Sequence, residues 1–344
     1  MYFEGIILDC ITEINENRSI SGIFHLLVGK KSIQSVHDAR LFQLEQYYGI
    51  YPTLRRIDLQ AIVSNLQQKK LVDNGSKDGY YRITEKGRRH LIKFKKSPLY
   101  AYYRGLLYNG TDVLFFKRLH LLIQTYSNIR MKNTAFIPVV DDVDVAGWVK
   151  AFYKKNWSVT ASLILYEELH KLLKGLEERE AEVLVNRLSG YHHYGMSMDQ
   201  IALNYQLSIH DVNLLTVGII HQMMYQIHRH KEDYPVLYQL IIENNNNKFI
   251  TKTANQTYQL LIERYSPETI AKIRKLKLNT VYDHIVEIAL YDKEFSIEPF
   301  VDTKTRKEIV SVINRCNSYK LKTIKDNCNP YISYFQIRLV LTRL

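Results

Sequence analysis

The sequence is poor in cysteine and contains no long apolar run. Its three cysteines, Cys10, Cys316 and Cys328, are far apart and form no CxxC pair, which argues against a disulfide framework or a zinc knuckle and favours reduced thiols. No segment approaches the roughly 18 apolar residues of a membrane helix, and the opening residues MYFEGIILDC lack the basic leader of a signal peptide. We therefore expect a cytoplasmic protein that does not bind membranes.

The sequence also lacks the motifs of nucleotide-driven and metal-dependent enzymes. It has no Walker A loop GxxxxGK[ST] and no DExH box, so no phosphate-cradling loop is predicted. Two histidine groups, His192-His193 and the set His221, His228 and His230, have no carboxylate or cysteine at a recognised ligand spacing. We predict a protein that is not an enzyme and that holds no metal and no cofactor.

What the sequence has in excess is positive charge. Over 344 residues the formal net charge is +12 and the isoelectric point is near 9.3. Such a chain favours an anionic partner, and nucleic acid is the commonest one. A hydrophobic content of 46% is enough for two or three cores, since domains typically span about 100 to 200 residues. We expect DNA binding and, with it, association with the nucleoid.

Three domains of a mainly α protein are predicted. The polar tract ENNNNK, Glu243–Lys248, is typical of a linker, and Pro98 after a basic run marks a weaker boundary. In residues 1–97, helical spacing is followed by a turn at DNGSKDG between two short strands, which indicates a winged helix. Residues 98–243 carry helix-period apolar runs and few strand signals, and residues 249–344 form the last domain.

A repeated pattern marks two helix-turn-helix segments. Ser197–Val212, SMDQIALNYQLSIHDV, aligns without a gap on Ser266–Val281, SPETIAKIRKLKLNTV. In each copy the serine can cap a helix, the Ile-Ala pair can pack at a close helix crossing, and the leucine can fill the turn. The final valine would anchor the second helix to the core. Both copies are therefore predicted to be helix-turn-helix units, the first in the central domain and the second in the C-terminal domain.

Several stretches resemble known families. Leu176–Val212 is similar to the helix-turn-helix of response regulators and sigma-factor tails, with an insertion at GYHHYG. Gly22–Gly87 resembles the RQC winged helix of RecQ helicases, through Tyr48-Gly49, the Leu66–Leu71 stretch and the motif Ile83-Thr84-x-Lys86-Gly87. The C-terminal part, from its helix-turn-helix through LKTIKDNCNPYISYFQIRLVLTRL, is similar to the tail that follows the RQC region in some bacterial RecQ proteins.

The helicase motor and the four-cysteine zinc module of RecQ are both missing. A chain with RQC-like and tail-like parts but no motor resembles the YpbB-type bacterial proteins, a family linked to short RecQ-type helicases without these accessory domains. The resemblance implies a non-catalytic DNA-binding accessory subunit of a RecQ-type helicase that lacks its own RQC region, with a role in DNA repair and recombination. Two alternatives stay open, a helix-turn-helix transcription regulator and a protein-docking scaffold.

Basic residues suited to DNA phosphates cluster on the predicted winged helix. In that fold the helix ends and the wing touch the DNA backbone. The wing tip, Asn74 to Gly79, carries no aromatic wedge, and Tyr80 and Tyr81 lie at its base, so strand separation by this wing is not expected. The residues that we predict to contact DNA here are Arg55, Arg56, Lys69, Lys77, Arg82, Lys86, Arg88 and Arg89.

The C-terminal helix-turn-helix offers a second predicted DNA surface. Its first helix and turn are basic, whereas its second helix carries no arginine suited to guanine, so backbone contact is favoured over base reading. Asp283 and Glu287 are expected to face phosphates unfavourably. The second helix of the central copy is mostly apolar, which favours a structural or protein-docking role. The residues predicted to contact DNA in the C-terminal copy are Lys272, Arg274, Lys277, Asn279, Thr280 and His284.

Overall fold

The computed structural model describes residues 2–156, 159–241, 250–292 and 294–344. Over these residues the protein is mainly helical, with nineteen α-helices and one two-stranded sheet, so the predicted fold class is confirmed. The predicted linker, Glu243–Lys248, lies outside the described residues. None of the described helices is both long enough and apolar enough to cross a membrane.

The chain divides into two compact units, each held together by contacts among its own residues. Unit 1 contains residues 2–13, 20–29 and 45–241, and unit 2 contains residues 14–19, 30–44, 250–292 and 294–344. This is a coarser division than the predicted three domains, which stay a prediction. Residues 30–44, which we had assigned to the N-terminal domain, belong to unit 2 with the C-terminal helices.

Unit 1 begins with the predicted winged-helix arrangement. A helix ends at Gln68, the strands Val72–Asn74 and Tyr81–Ile83 pair antiparallel with Val72 opposite Ile83, and the next helix begins at Glu85. The predicted turn between two short strands is therefore present. The elements of unit 1 are α1 (Tyr2–Ile14), α2 (Ile20–Leu27), α4 (Arg56–Gln68), β1 (Val72–Asn74), β2 (Tyr81–Ile83), α5 (Glu85–Lys95), α6 (Gly105–Tyr108), α7 (Thr111–Arg130), α8 (Val143–Asn156), α9 (Val159–Lys174), α10 (Glu178–Arg187), α11 (Met198–Tyr205), α12 (Ile209–Arg229) and α13 (Pro235–Leu240).

The long helix α12 forms the centre of the second half of unit 1. Its apolar residues from Leu214 to Met224 are buried except for the half-buried Val217, and it packs against α7, α10 and α11. The apolar surface of α12 is therefore largely core, whereas Leu163 and Tyr166 on α9 are exposed.

Unit 2 is built around one buried helix, α16 (Leu278–Tyr291). Nearly every residue of α16 from Val281 to Leu290 is buried, and four helices pack on it, α3 (Ile33–Leu41), α14 (Lys252–Ile262), α15 (Pro267–Ile273) and α19 (Tyr334–Leu341). The core includes Ile270, Ile285, Ile313 and Ile337. The elements of unit 2 are α3 (Ile33–Leu41), α14 (Lys252–Ile262), α15 (Pro267–Ile273), α16 (Leu278–Tyr291), α17 (Thr303–Cys316), α18 (Leu321–Asn327) and α19 (Tyr334–Leu341).

The two repeat copies adopt matching backbone geometry. Ser197 and Ser266 cap α11 and α15, as predicted, by accepting the backbone N–H three residues on. At the turn, Gln206 and Lys275 occupy equivalent positions with φ of 52° and 53°. The isoleucine and valine anchors of both copies are fully buried. Both predicted segments therefore consist of two helices joined by the same kind of turn.

Candidate nucleic-acid interface

The motif Ile83-Thr84-x-Lys86-Gly87 joins the wing to α5. Thr84 caps α5 by accepting the N–H of Gly87 at 3.0 Å, and its hydroxyl donates to the carbonyl of Lys70 at 2.8 Å. The Lys86 ammonium donates to the carbonyl of Lys69 at 2.8 Å, where the negative end of the α4 dipole favours a cation. These contacts fix α5 against the end of α4, so the exposed face of α5 has a defined position beside the wing.

Three of the predicted residues of unit 1 are unengaged. The side chains of Lys77, Arg88 and Arg89 are exposed and make no hydrogen bond or ion pair with the described residues. Lys77 lies in the turn between β1 and β2, and the two arginines lie in the first turns of α5. Lys93 and Lys96 extend this exposed stripe at helical spacing. We define the wing patch as Lys77, Arg88, Arg89, Lys93 and Lys96.

The other predicted residues of the winged helix take part in contacts within unit 1. Arg55 pairs with Asp58 at 2.6 Å, and Lys69 pairs with Glu4 at 2.5 Å. The Arg56 guanidinium lies 4.4 Å from the centre of the Phe24 ring and within 3.3 Å of the Ser21 hydroxyl. Arg82 is exposed and also has a partner. Arg55 is exposed, so solvent screens its pair with Asp58 and phosphate can displace that pair at low cost. Glu4 is buried, so releasing Lys69 would leave a buried charge without its partner.

In unit 2, the turn between α15 and α16 is the exposed basic region. Lys272, Lys275 and Lys277 are exposed, and Asn279 is exposed on the first turn of α16. Thr280 is half-buried beside them. The N-terminus of α16 adds the positive end of its dipole to this charge. We define the turn patch as Lys272, Lys275, Lys277 and Asn279. Lys275 belongs to the basic run of the sequence but was absent from the predicted contact set.

Two further predicted residues of this unit point inward. Arg274 donates to the Thr253 carbonyl and the Gln256 side chain, both at 2.7 Å, and thereby ties α15 to α14. His284 is buried, lies 2.9 Å from the Thr257 hydroxyl, and has a lowered pKa because of burial and the neighbouring Arg274. DNA contact by Arg274 or His284 would require these bonds to open, and their assignment stays a prediction.

The two acids of α16 do not oppose phosphate as we had expected. Asp283 is neutralised by Arg338, whose Nη1 lies 2.5 Å from Oδ1. Glu287 is buried and accepts the backbone N–H of Thr251 at 2.5 Å, and burial raises the pKa of its carboxyl. Neither carboxylate therefore presents a free negative charge beside the turn patch.

The central helix-turn-helix differs in what covers its second helix. The Asp211 carboxylate in the first turn of α12 accepts the N–H of Phe3 at 2.9 Å, and His210 Nδ1 lies 2.8 Å from the Tyr51 hydroxyl. These contacts occupy the turn that would face DNA in a helix-turn-helix. The geometry favours the structural role that we expected for this copy.

The histidines of unit 1 are dispersed. His221 is fully buried, accepts the Arg104 N–H on Nδ1 at 3.0 Å and lies 3.1 Å from the Asp112 carboxylate through Nε2. Because Nδ1 accepts, Nε2 carries the proton and donates to Asp112. Among the residues that the structure describes, no three His, Cys, Asp or Glu side chains lie close enough together to hold a metal ion.

Comparison with known proteins identifies the family of the chain. A family model described as a helix-turn-helix domain matches residues 253–341, which include the turn patch. Protein YpbB of Bacillus subtilis (strain 168) is 30% identical over 346 aligned residues, covering 99% of this chain and 97% of the relative. The chain belongs to the YpbB family. No solved structure matches it.

Family membership gives the C-terminal patch its meaning. The helix-turn-helix domain of this YpbB-family chain indicates DNA binding, and the turn patch supplies exposed cations within that domain. The name of the Bacillus protein states no activity. The resemblance of Gly22–Gly87 to an RQC winged helix stays a prediction.

Proposed function

We propose that this protein is a non-catalytic DNA-binding accessory subunit of a RecQ-type helicase that lacks its own RQC region, with a role in DNA repair and recombination. The observation that carries the proposal is the exposed turn between α15 and α16, where the turn patch lies beside a helix N-terminus inside the matched helix-turn-helix domain. A motor must come from elsewhere, since the sequence contains no Walker A loop.

Contact with the DNA backbone fits the chemistry of both patches. The wing patch and the turn patch supply lysines and arginines but no arginine on the exposed turn of α16 that could pair with guanine. Phosphate contacts position a protein on DNA without reading its sequence. Binding is therefore expected to depend weakly on sequence and steeply on salt.

The helicase part of the proposal rests on the sequence resemblances. Two regions of one motor-less chain are similar to regions that flank each other in RecQ proteins, and supplying them in trans would complete a short helicase. Adding the protein to such a helicase should raise its DNA-dependent unwinding, whereas the protein alone should hydrolyse no ATP. A direct complex, measured by co-purification of the two pure proteins, tests the partnership.

A charge-reversal pair tests the DNA surface. Arg88→Glu with Arg89→Glu should weaken binding of random duplex DNA, measured by fluorescence anisotropy, because reversed charges repel phosphate. The matched control is Lys154→Glu with Lys155→Glu, which makes the same charge change on exposed residues of α8. Equal losses in both variants would mean that only net charge matters. A protected palindrome in footprinting would instead support a transcription regulator.

A further inference from the structure

Four exposed apolar side chains of unit 1 lie within residues 131–143, from the end of α7 to the first residue of α8. Met131, Ile137, Val139 and Val143 are all exposed, and Ile137 and Val143 retain 88% and 86% of their accessible surface. Single exposed apolar residues are ordinary on protein surfaces, but a contiguous group marks an interaction site. We call residues 131–143 the apolar loop.

The apolar loop is held in place although residues 133–138 form no helix or strand. The buried Gln124 side chain donates to the carbonyl of Ile137 at 3.0 Å and accepts the N–H of Val139 at 2.8 Å. It thus pairs with alternate residues of the loop as a neighbouring strand would. At one end Asn133 bonds to Asn128, and at the other Asp142 accepts from Lys117 at 2.8 Å. The backbone that carries the exposed side chains is therefore pre-organised, which lowers the entropy cost of docking.

Its charge separates the apolar loop from the DNA-binding patches. Residues 131–144 contain one lysine and three aspartates, a formal charge of −2 in a chain of +12. Asp142 is neutralised by Lys117, while Lys132, Asp141 and Asp144 are exposed. With Asp142 paired, the loop keeps a net charge of −1 from one cation and two anions, which does not favour DNA or anionic lipid. Because Ile137 protrudes into solvent, the occupant must supply the pocket.

We propose that the apolar loop is the docking site for the protein partner of the proposed complex, and that the partner receives Ile137 and Val143 in an apolar pocket with a rim of lysine and arginine. This inference rests on the proposed function, since it assigns the surface through which the motor protein is recruited. The acidic rim keeps the docking face clear of DNA, so the partner and DNA bind the protein at the same time.

The test is a pair of matched double variants assayed for binding to the purified RecQ-type helicase of the same cell. Ile137→Ser with Val143→Ser should weaken that binding roughly tenfold or more, without changing DNA affinity or the circular dichroism spectrum. The control variant, Leu107→Ser with Leu203→Ser, removes two exposed apolar side chains elsewhere in unit 1. It should bind the helicase like wild type. Asp141→Lys with Asp144→Lys should weaken binding most at low salt.

Each of the other outcomes would contradict a specific part of the proposal. If wild type binds the helicase and the Ile137, Val143 variant binds equally well, the docking site is wrong and the proposed function stands. If wild type binds no RecQ-type helicase, both fail. If sedimentation shows a wild-type dimer that the same variant dissociates, a second copy of the chain occupies the loop, and the assignment to the helicase is overturned.

Discussion

Gly87 shows how little space one residue can have in this fold. A Cβ built at Gly87 would lie 2.1 Å from the backbone carbonyl of Leu71 and 2.7 Å from Ile83 Cγ1. Neither neighbour can move easily, because Leu71 O also accepts the N–H of Thr84. The glycine is what allows α5 to approach the end of α4 and to hold the wing patch there.

Alanine substitutions at two glycines should therefore have opposite effects. Gly87→Ala should lower the free energy of unfolding by about 1 to 3 kcal/mol, the usual cost of overpacking. Gly147→Ala should raise it by roughly 0.5 to 1 kcal/mol, because the helix α8 gains a better helix former and a Cβ there meets no atom within 4 Å. Thermal unfolding of both variants measures the signs. A stable Gly87→Ala protein would contradict the close approach.

The buried carboxyl of Glu287 should make the stability of the protein depend on pH. Burial raises the pKa of its carboxyl in the folded protein, so its stabilising contribution is present below the unfolded pKa of about 4.3 and is lost as pH rises through the folded value. At neutral pH the buried charge is a cost that Glu287→Gln removes. The stability of this variant relative to wild type should therefore increase between about pH 4 and pH 7, as followed by thermal melts.

Asp302, which caps α17, is the control with the opposite sign. Hydrogen bonds from the Thr305 N–H and hydroxyl lower its pKa, so its contribution is present above the unfolded pKa of about 3.9 and is lost as pH falls through the folded value. Asp302→Asn keeps a capping side chain but should lose stability relative to wild type as pH rises from about 3 to 7. Parallel pH profiles for the two variants would contradict one of the two predicted directions.

At the scale of elements, the sequence predicted what depends on local spacing. The capping serines, the buried isoleucines and valines, and the hairpin after α4 all follow from short patterns, and the structure has them. The spacing of apolar residues could not predict which of the two helix-turn-helix copies keeps its turn exposed. That depends on Phe3 and Tyr51, which are far from α12 in sequence and cover its first turn. The same limit explains Arg274 and His284, whose partners lie on α14.

Equivalent residues of the two copies should respond differently to the same change in charge. Lys275→Gln and Gln206→Glu each lower the net charge by one unit, the first by removing a positive charge and the second by adding a negative one, and both residues occupy the same left-handed turn position. Only Lys275→Gln should weaken DNA binding and reduce the salt slope by about one. Titrations of one duplex at several salt concentrations measure both quantities. A comparable loss for Gln206→Glu would show that the central copy also contacts DNA.

At the scale of the whole molecule, unit 2 is assembled from segments far apart in the sequence. The helix α3 packs on α16, Arg18 pairs with Asp38 at 2.8 Å, and the rings of Phe42 and Tyr319 meet edge to face. Short sequence patterns do not predict contacts between residues that are far apart in the chain, and for this reason we had assigned α3 to the N-terminal domain. Unit 2, which contains the matched helix-turn-helix domain, therefore includes residues 14–19 and 30–44 as well as the C-terminal helices.

Because unit 2 includes residues 30–44, a substitution in that segment should affect the C-terminal helices. Phe42 is buried in unit 2, and Phe42→Ala should cost about 3 to 5 kcal/mol through loss of burial and the cavity left behind. Amide exchange, followed by mass spectrometry on the full chain, should then accelerate in α16 and α19 while the wing strands keep their protection, because local stability follows the packing of each unit. Phe3→Ala is the reciprocal control, since Phe3 packs against Tyr51 and His210 in unit 1, and it should accelerate exchange in α1 and α12 instead. Faster exchange in the wing rather than in α16 after Phe42→Ala would mean that residues 30–44 stabilise the N-terminal domain after all.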